Sequence, residues 1–119
     1  MKRQSWGRII NIGGGSGRRS GLYSTGTRNI AIVHLSKTLS DELGPSGITV
    51  NVVHPGTTRN TSLIDQNIAR TAQREGTTED EVERRMSADN AIRRFPRADE
   101  VAYVVTFLAS PKAAAVTGE

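Results

Sequence analysis

The chemistry-bearing residues of this chain gather around two short stretches. One is Gly13-Gly14-Gly15-Ser16-Gly17, which directly follows the apolar run Ile9-Ile10-Asn11-Ile12. The other is His54-Pro55-Gly56, which follows Ile48-Thr49-Val50-Asn51-Val52-Val53. Glycines after a strand can cradle phosphate through backbone N–H groups, but a dinucleotide fingerprint needs G-x-G-x-x-G opening a helix directly. Here Arg18, Arg19, Ser20 and Gly21 intervene, and the glycine spacing is different. No acidic residue closes the next strand to read a ribose. The alternatives for the loop are a phosphate cradle or a flexible strand-to-helix link. His54, placed before a proline, reads as a strand-end residue rather than a base, and His34 reads as packing.

The elements that must hold these stretches are legible from pattern. Arg8–Ile12 alternates as a short strand. From about 24 to 43, Ile32, Leu35, Leu39 and Leu43 recur at helical spacing, and Gly44-Pro45 ends the helix. The run 48–53 is a second, β-branched strand. Strand, helix and strand with short links form a βαβ unit with parallel strands. Residues 57 to 90 are polar, with a short helix suggested by Leu63, Ile64 and Ile68. A second helix opens at Thr77 or Thr78 as N-cap, with Glu79 and Asp80 in its first turn. A last helix, about 99 to 109, carries Val101, Val104, Val105 and Leu108 on one face. The whole reads as one α/β domain over 1–119 built on this parallel unit. A long insert at 57–95 leaves it after the second strand, where a lid over a substrate would emerge.

Composition narrows the function classes. The chain has 119 residues, 35% of them hydrophobic and 4% aromatic, which is lean for a self-sufficient core. It contains no cysteine, so disulfides and cysteine-held zinc are excluded. No metal site is expected. The net charge is +4, but the arginines fall in separated pairs, partly beside acids and without interleaved aromatics, so no nucleic-acid platform is expected. No run approaches a membrane span, and the first residues lack the apolar core of a signal peptide. The reading is a soluble, cytoplasmic protein with no membrane partner.

The order of segments resembles the second half of a short-chain dehydrogenase/reductase. The resemblance lies in Trp6-Gly7-Arg8-Ile9-Ile10-Asn11-Ile12, in Leu35-Ser36-Lys37-Thr38-Leu39-Ser40-Asp41-Glu42-Leu43-Gly44, and in Gly47-Ile48-Thr49-Val50-Asn51-Val52-Val53-His54-Pro55-Gly56. The closing segment, Arg94 to Ala102 with Phe107-Leu108-Ala109-Ser110 and Thr117-Gly118-Glu119, is similar too. It covers nearly the whole chain apart from the insert.

The resemblance implies a partial doubly wound Rossmann-like parallel sheet, with NAD or NADP as cofactor and a small-molecule alcohol or carbonyl substrate. It also implies a homo-oligomer built through helix 24–43. By it, the opening glycine loop stands where the family keeps its catalytic serine, not at the pyrophosphate. The family's tyrosine exchanges the hydroxyl proton, helped by a lysine four residues on. Ungapped alignment puts the lysine position at Asn29, the tyrosine position at Thr25 and the serine position at Gly14. Two readings follow. In one, a displaced set works, with Tyr23, Ser16 and Arg28 as catalytic residues; Ser20 is a nearby hydroxyl. In the other, the fold is a non-catalytic binding or dimerisation module. Pro55, Gly56, Thr58, Asn60 and Asn29 are expected near the cofactor. Without the family's phosphate-binding half, the chain is expected to be an inactive fragment, to expose a strand edge and to need a partner segment.

Overall fold

A computed structural model describes residues 1–15 and 23–119. β1 (Gly7–Ile12) and β2 (Ile48–Val53) pair in parallel, Gly7 opposite Ile48 through Ile12 opposite Val53. α1 (Tyr23–Leu43) crosses between them. α2 (Ser62–Glu75), α3 (Glu79–Met86) and α4 (Ala98–Ala109) follow, and single 3-10 turns lie at Lys2–Gln4, Gly44–Ser46 and Pro111–Ala113. The expected strand–helix–strand order and the parallel pairing are as found. By contact, residues 1–56 and 102–119 form one compact unit, and 57–101 a second.

In the first unit, Ile48, Val50, Leu108 and Ala113 are the buried hydrophobic residues. α1 departs from its expected face. Of the stripe Ile32, Leu35, Leu39 and Leu43, Leu35 is 52% exposed and the other three are only partly buried, while the buried residues are Asn29, Ser36 and Ser40. Apolar residues lie all round this helix, so periodicity alone could not choose its inner side. Small polar residues win that side because they satisfy themselves locally. Ser36 Oγ donates to the Ile32 carbonyl at 2.7 Å and accepts from Asn11 Nδ2 at 2.8 Å. Ser40 Oγ donates to the Lys37 carbonyl at 2.7 Å. His34, expected to pack, is exposed. On α4, Val101 and Val105 are partly buried and Leu108 is buried, as the expected face requires, but Val104 is 47% exposed.

The end of the chain runs beside β2 on the edge away from β1. Gly118 N–H donates to Val50 O at 2.8 Å, and Val52 N–H to Glu119 O at 2.6 Å. The Asn51 side chain joins the same segment, donating to Val116 O at 2.9 Å and accepting from Glu119 N–H at 3.3 Å. Among the described residues, β1 pairs with β2 alone. Entry to β2 needs glycine: Gly47 has φ of 70°, and a Cβ there would strike the Ser5 carbonyl oxygen.

The second unit has its own core of Ile68, Ala72, Val82 and Phe95, with Ile64 packed against it. α2 is longer than the short helix expected, because Ala69 and Ala72 carry its apolar line onward. Thr78 caps α3, its hydroxyl accepting from Glu81 N–H at 3.2 Å. The two ends of the unit meet: Arg59 N–H donates to Pro96 O at 2.8 Å, and Ala98 N–H to Arg59 O at 3.1 Å. The Arg59 guanidinium, 22% exposed, reaches Asp65 and Glu83 at 3.0 Å each. Arg94 grips both oxygens of Glu100, at 2.7 and 2.6 Å, and the Arg97 amide adds a third bond at 2.8 Å. The bonds from the Arg94 side chain, and then from the Arg97 amide, lower the Glu100 carboxyl to about 2.

Two outcomes are expected. Replacing Ile68 by alanine should cost about 2–5 kcal/mol and lower the urea midpoint reported by the second unit; an unchanged midpoint would show that this core contributes nothing. For Glu100, a depressed folded-state value means a stabilising contribution complete above the ordinary carboxylate range and lost as pH falls towards 2. An acid titration followed at the Glu100 carboxyl carbon by NMR should show that low midpoint, and Arg94→Leu should raise it.

Candidate functional site

β1 and β2 end side by side, and Gly13 N–H donates to Val53 O at 2.9 Å just past them. The parallel register therefore brings the glycine stretch against His54. A Cβ on Gly13 would lie 2.5 Å from His54 Cε1 and 2.6 Å from its Nδ1. The imidazole occupies the space a side chain would need. Gly14 faces α1 instead: a Cβ there would lie 2.9 Å from Asn29 Nδ2. Gly15 has no atom within 4 Å of such a position. Three consecutive residues thus form a side-chain-free floor, walled by His54 and Asn29 on its first two residues.

Asn29 is 4% exposed. Its burial follows from its place on α1, seven residues before Ser36 on the side turned to the sheet. A neutral amide tolerates this position, where a lone ammonium would need a partner. Tyr23 is in the opposite situation. It begins α1, and 94% of it is exposed. Its carbonyl accepts from Thr27 Oγ1 at 2.8 Å. Arg28 is exposed and Thr25 partly buried. Ser16 and Ser20 lie outside the described residues. So Gly14 and Asn29, the serine and lysine positions of the resemblance, come together, whereas Tyr23 and Asn29 occupy water and interior respectively.

His54 carries the chain out of β2 into Pro55 and Gly56. Gly56 takes φ of 72°, and no atom lies within 4 Å of where a Cβ would be. The backbone of this turn is therefore approachable without a side chain in the way. Thr58 and Asn60 belong to the second unit. The Thr58 carbonyl accepts from Thr61 Oγ1 at 2.8 Å. Asn60 takes φ of 61°, and its amide donates to Asp65 Oδ1 at 3.3 Å.

Sequence reasoning set His54 aside as a strand-end residue. The signal that could have found it is register: in a parallel pair, the residue after Ile12 falls opposite the residue after Val53. Its Nδ1 is buried and has no hydrogen-bond partner among the described residues. Elsewhere, Arg84 pairs with Glu81, and Arg85 lies 2.5 Å from Glu75. Among the described residues, no group of three His, Cys, Asp or Glu could hold a metal, and no helix is long and apolar enough to cross a membrane.

Comparison with known proteins accounts for this layout. A family model described as enoyl-(acyl carrier protein) reductase matches residues 1–119. The short-chain reductase protein NovJ of Streptomyces niveus is 36% identical over 120 residues, covering all of this chain and 44% of NovJ. The crystal structure of YwfH, an NADPH-dependent reductase involved in bacilysin biosynthesis, superposes with a TM-score of 0.83 at 30% identity, covering 98% of this chain and 45% of that one. An NAD+-bound xylitol dehydrogenase gives 0.79 at 26% identity, covering 99% and 48%. The chain therefore spans about half the length of the relatives it matches. Its α/β fold, with a parallel β1–β2 pair and four helices, is that of these neighbours. The match extends from the first residue to the last, and the chain belongs to the short-chain dehydrogenase/reductase family.

Proposed function

We propose that this chain supplies the nicotinamide-facing part of an NAD(P)-dependent oxidoreductase acting on an alcohol or carbonyl group. The observation that carries the reading is the carboxyl edge of the β1–β2 pair, where a side-chain-free floor and the open Gly56 turn lie in one unit. Ligands of parallel α/β sheets bind at that edge. The fit is physical: a flat ring needs backbone it can approach, and Gly15 and Gly56 present it. Relatives named as NADPH-dependent and as NAD+-bound support both forms of the cofactor. When bound, the nicotinamide supplies or accepts the hydride.

On this reading, Pro55 and Gly56 lie against the carboxamide end of the ring, with Thr58 and Asn60 following. Asn29 offers its amide to the ribose side. Ser16 and Tyr23 are the hydroxyls that would hold the reacting oxygen and exchange its proton, with Arg28 as the nearby cation. Residues 57–95 serve as a lid over the substrate. Ile30, Val33 and Leu35, between 46% and 59% exposed on α1, suit burial against a second copy. The setting is the cytoplasm, with no nucleic-acid or membrane partner.

A second reading has its own observation. Gly14, Thr25 and Asn29 offer neither the serine, the tyrosine nor the lysine, and a hydroxyl-bearing side chain at 14 would press on Asn29. That favours a non-catalytic binding or dimerisation module on the same fold.

Both readings can be tested directly. NAD+ or NADP+ added to the 15N-labelled chain should shift the amides of Gly13, Gly14, Asn29 and Gly56; shifts confined to other regions, or none, would sink the oxidoreductase reading. Where hydride transfer to a small carbonyl is measurable, Tyr23→Phe should lower its rate by about 100-fold or more. Turnover seen only after Thr25→Tyr with Asn29→Lys would favour the second reading.

A further inference from the structure

The second unit is drawn together at one residue. Arg59 stands where the chain enters it, and its backbone bonds to the place where the chain leaves: Arg59 N–H donates to Pro96 O at 2.8 Å, and Ala98 N–H to Arg59 O at 3.1 Å. The side chain reaches both helices of the unit. Its Nη1 lies 3.0 Å from Asp65 on α2, its Nε 3.0 Å from Glu83 on α3, and its Nη2 3.9 Å from Glu79 on α3. Entry, exit, α2 and α3 thus meet at a single guanidinium. The planar fork of arginine suits such a junction, where a point charge would serve fewer partners. The other ion pairs here join less. Arg74 pairs with its sequence neighbour Glu75, and Arg84 with Glu81 on the same helix. Arg85 ties α3 to α2 through Glu75, but from a more exposed position.

The charge balance makes this arginine hard to replace. Three carboxylates face it, so without it Asp65, Glu79 and Glu83 would gather like charges around an empty place. The apolar core it supplements is small: Ile68, Ala72, Val82 and Phe95, with Ile64 beside them. Segments with few buried apolar contacts open more readily than the rest of a fold, often as contiguous cooperative units. On the entry side the chain passes through Gly56, with φ of 72° and no atom within 4 Å of a Cβ position, so nothing holds that joint from the side.

We propose that residues 57–101 open as one cooperative body while the β1–β2 pair stays folded, and that the Arg59 guanidinium is the latch that sets how often they do. The device goes beyond the oxidoreductase reading and acts whether or not this unit covers a substrate.

Amide hydrogen exchange of the whole chain, read by NMR, tests it without a ligand. The amides of Ile68, Ala72 and Val82 should exchange through one shared opening, more frequent than the opening that exposes the amides linking β1 to β2. Arg59→Met keeps the backbone bonds of the neck and removes only the guanidinium. It should raise the shared opening constant about tenfold or more, equally at all three amides, and leave the β1–β2 amides unchanged. Arg59→Lys, which keeps the charge but not the fork, should fall in between. Arg74→Met, which removes an exposed pair in the same unit, should change the constant by less than about threefold. The proposal is overturned if the three amides open independently in the unaltered chain, or if Arg59→Met speeds exchange only near residues 60–65 or not at all. It is overturned equally if Arg59→Met and Arg59→Lys speed the β1–β2 amides by the same factor or unfold the chain throughout, because the two units then open together.

Discussion

The parallel pairing of β1 and β2 is what everything else in the first unit depends on. Parallel neighbours need a crossover, and α1 is that crossover. Their common direction also brings both carboxyl ends to one edge, so that Gly13 and His54 come together without either being chosen for the other's sake. The pairing holds only if α1 lies close above it, and Asn11, Ser36 and Ser40 permit this by being small or by bonding to one another. Bulky leucines on that side would lift the helix off. The exposure of Leu35 and Val33 is the complement of this close approach.

The site inherits its character from the same constraint. A strand that ends in three glycines has no side chains to offer, so chemistry at this edge must come from what surrounds it. Asn29 and His54 are what surround it among the described residues, and they differ in kind from the hydroxyl and ammonium that the family resemblance leads one to look for. The neutral amide at 29 suits an interior position; an ammonium there would have demanded a bound anion or a carboxylate. The backbone frame is that of the family, and the side chains nearest its glycine floor among the described residues are a neutral amide and an imidazole.

Much of this was legible in the sequence, and the failures have physical causes. β-branched runs bounded by glycine gave both strands, and Gly44-Pro45 gave the end of α1, since local geometry decides those. Thr77 or Thr78 followed by Glu79 and Asp80 announced α3. The inner face of α1 could not be read, because Ile30, Val33, Leu35 and Leu39 distribute apolar surface all round while the serines that face the sheet look like surface residues. The extent of α2 was underestimated because alanine is a weak hydrophobic signal. His54 was set aside because its role appears only when two distant segments are in register, and a single strand does not reveal its partner. The bonds of Asn51 to Val116 and Glu119 are of the same long-range kind.

The meeting of Arg59 with Pro96 and Ala98 has a consequence for how such a chain can diversify. A stretch that leaves and returns at one place closes a loop, and the entropy of closing a loop grows only with the logarithm of its length. The connections between its helices can change length at little cost in closure entropy, while the core of Ile68, Ala72, Val82 and Phe95 and the anchors keep their own contacts. The arginine that pairs with Asp65 and Glu83 at this neck therefore marks where a stretch of adjustable length begins and ends.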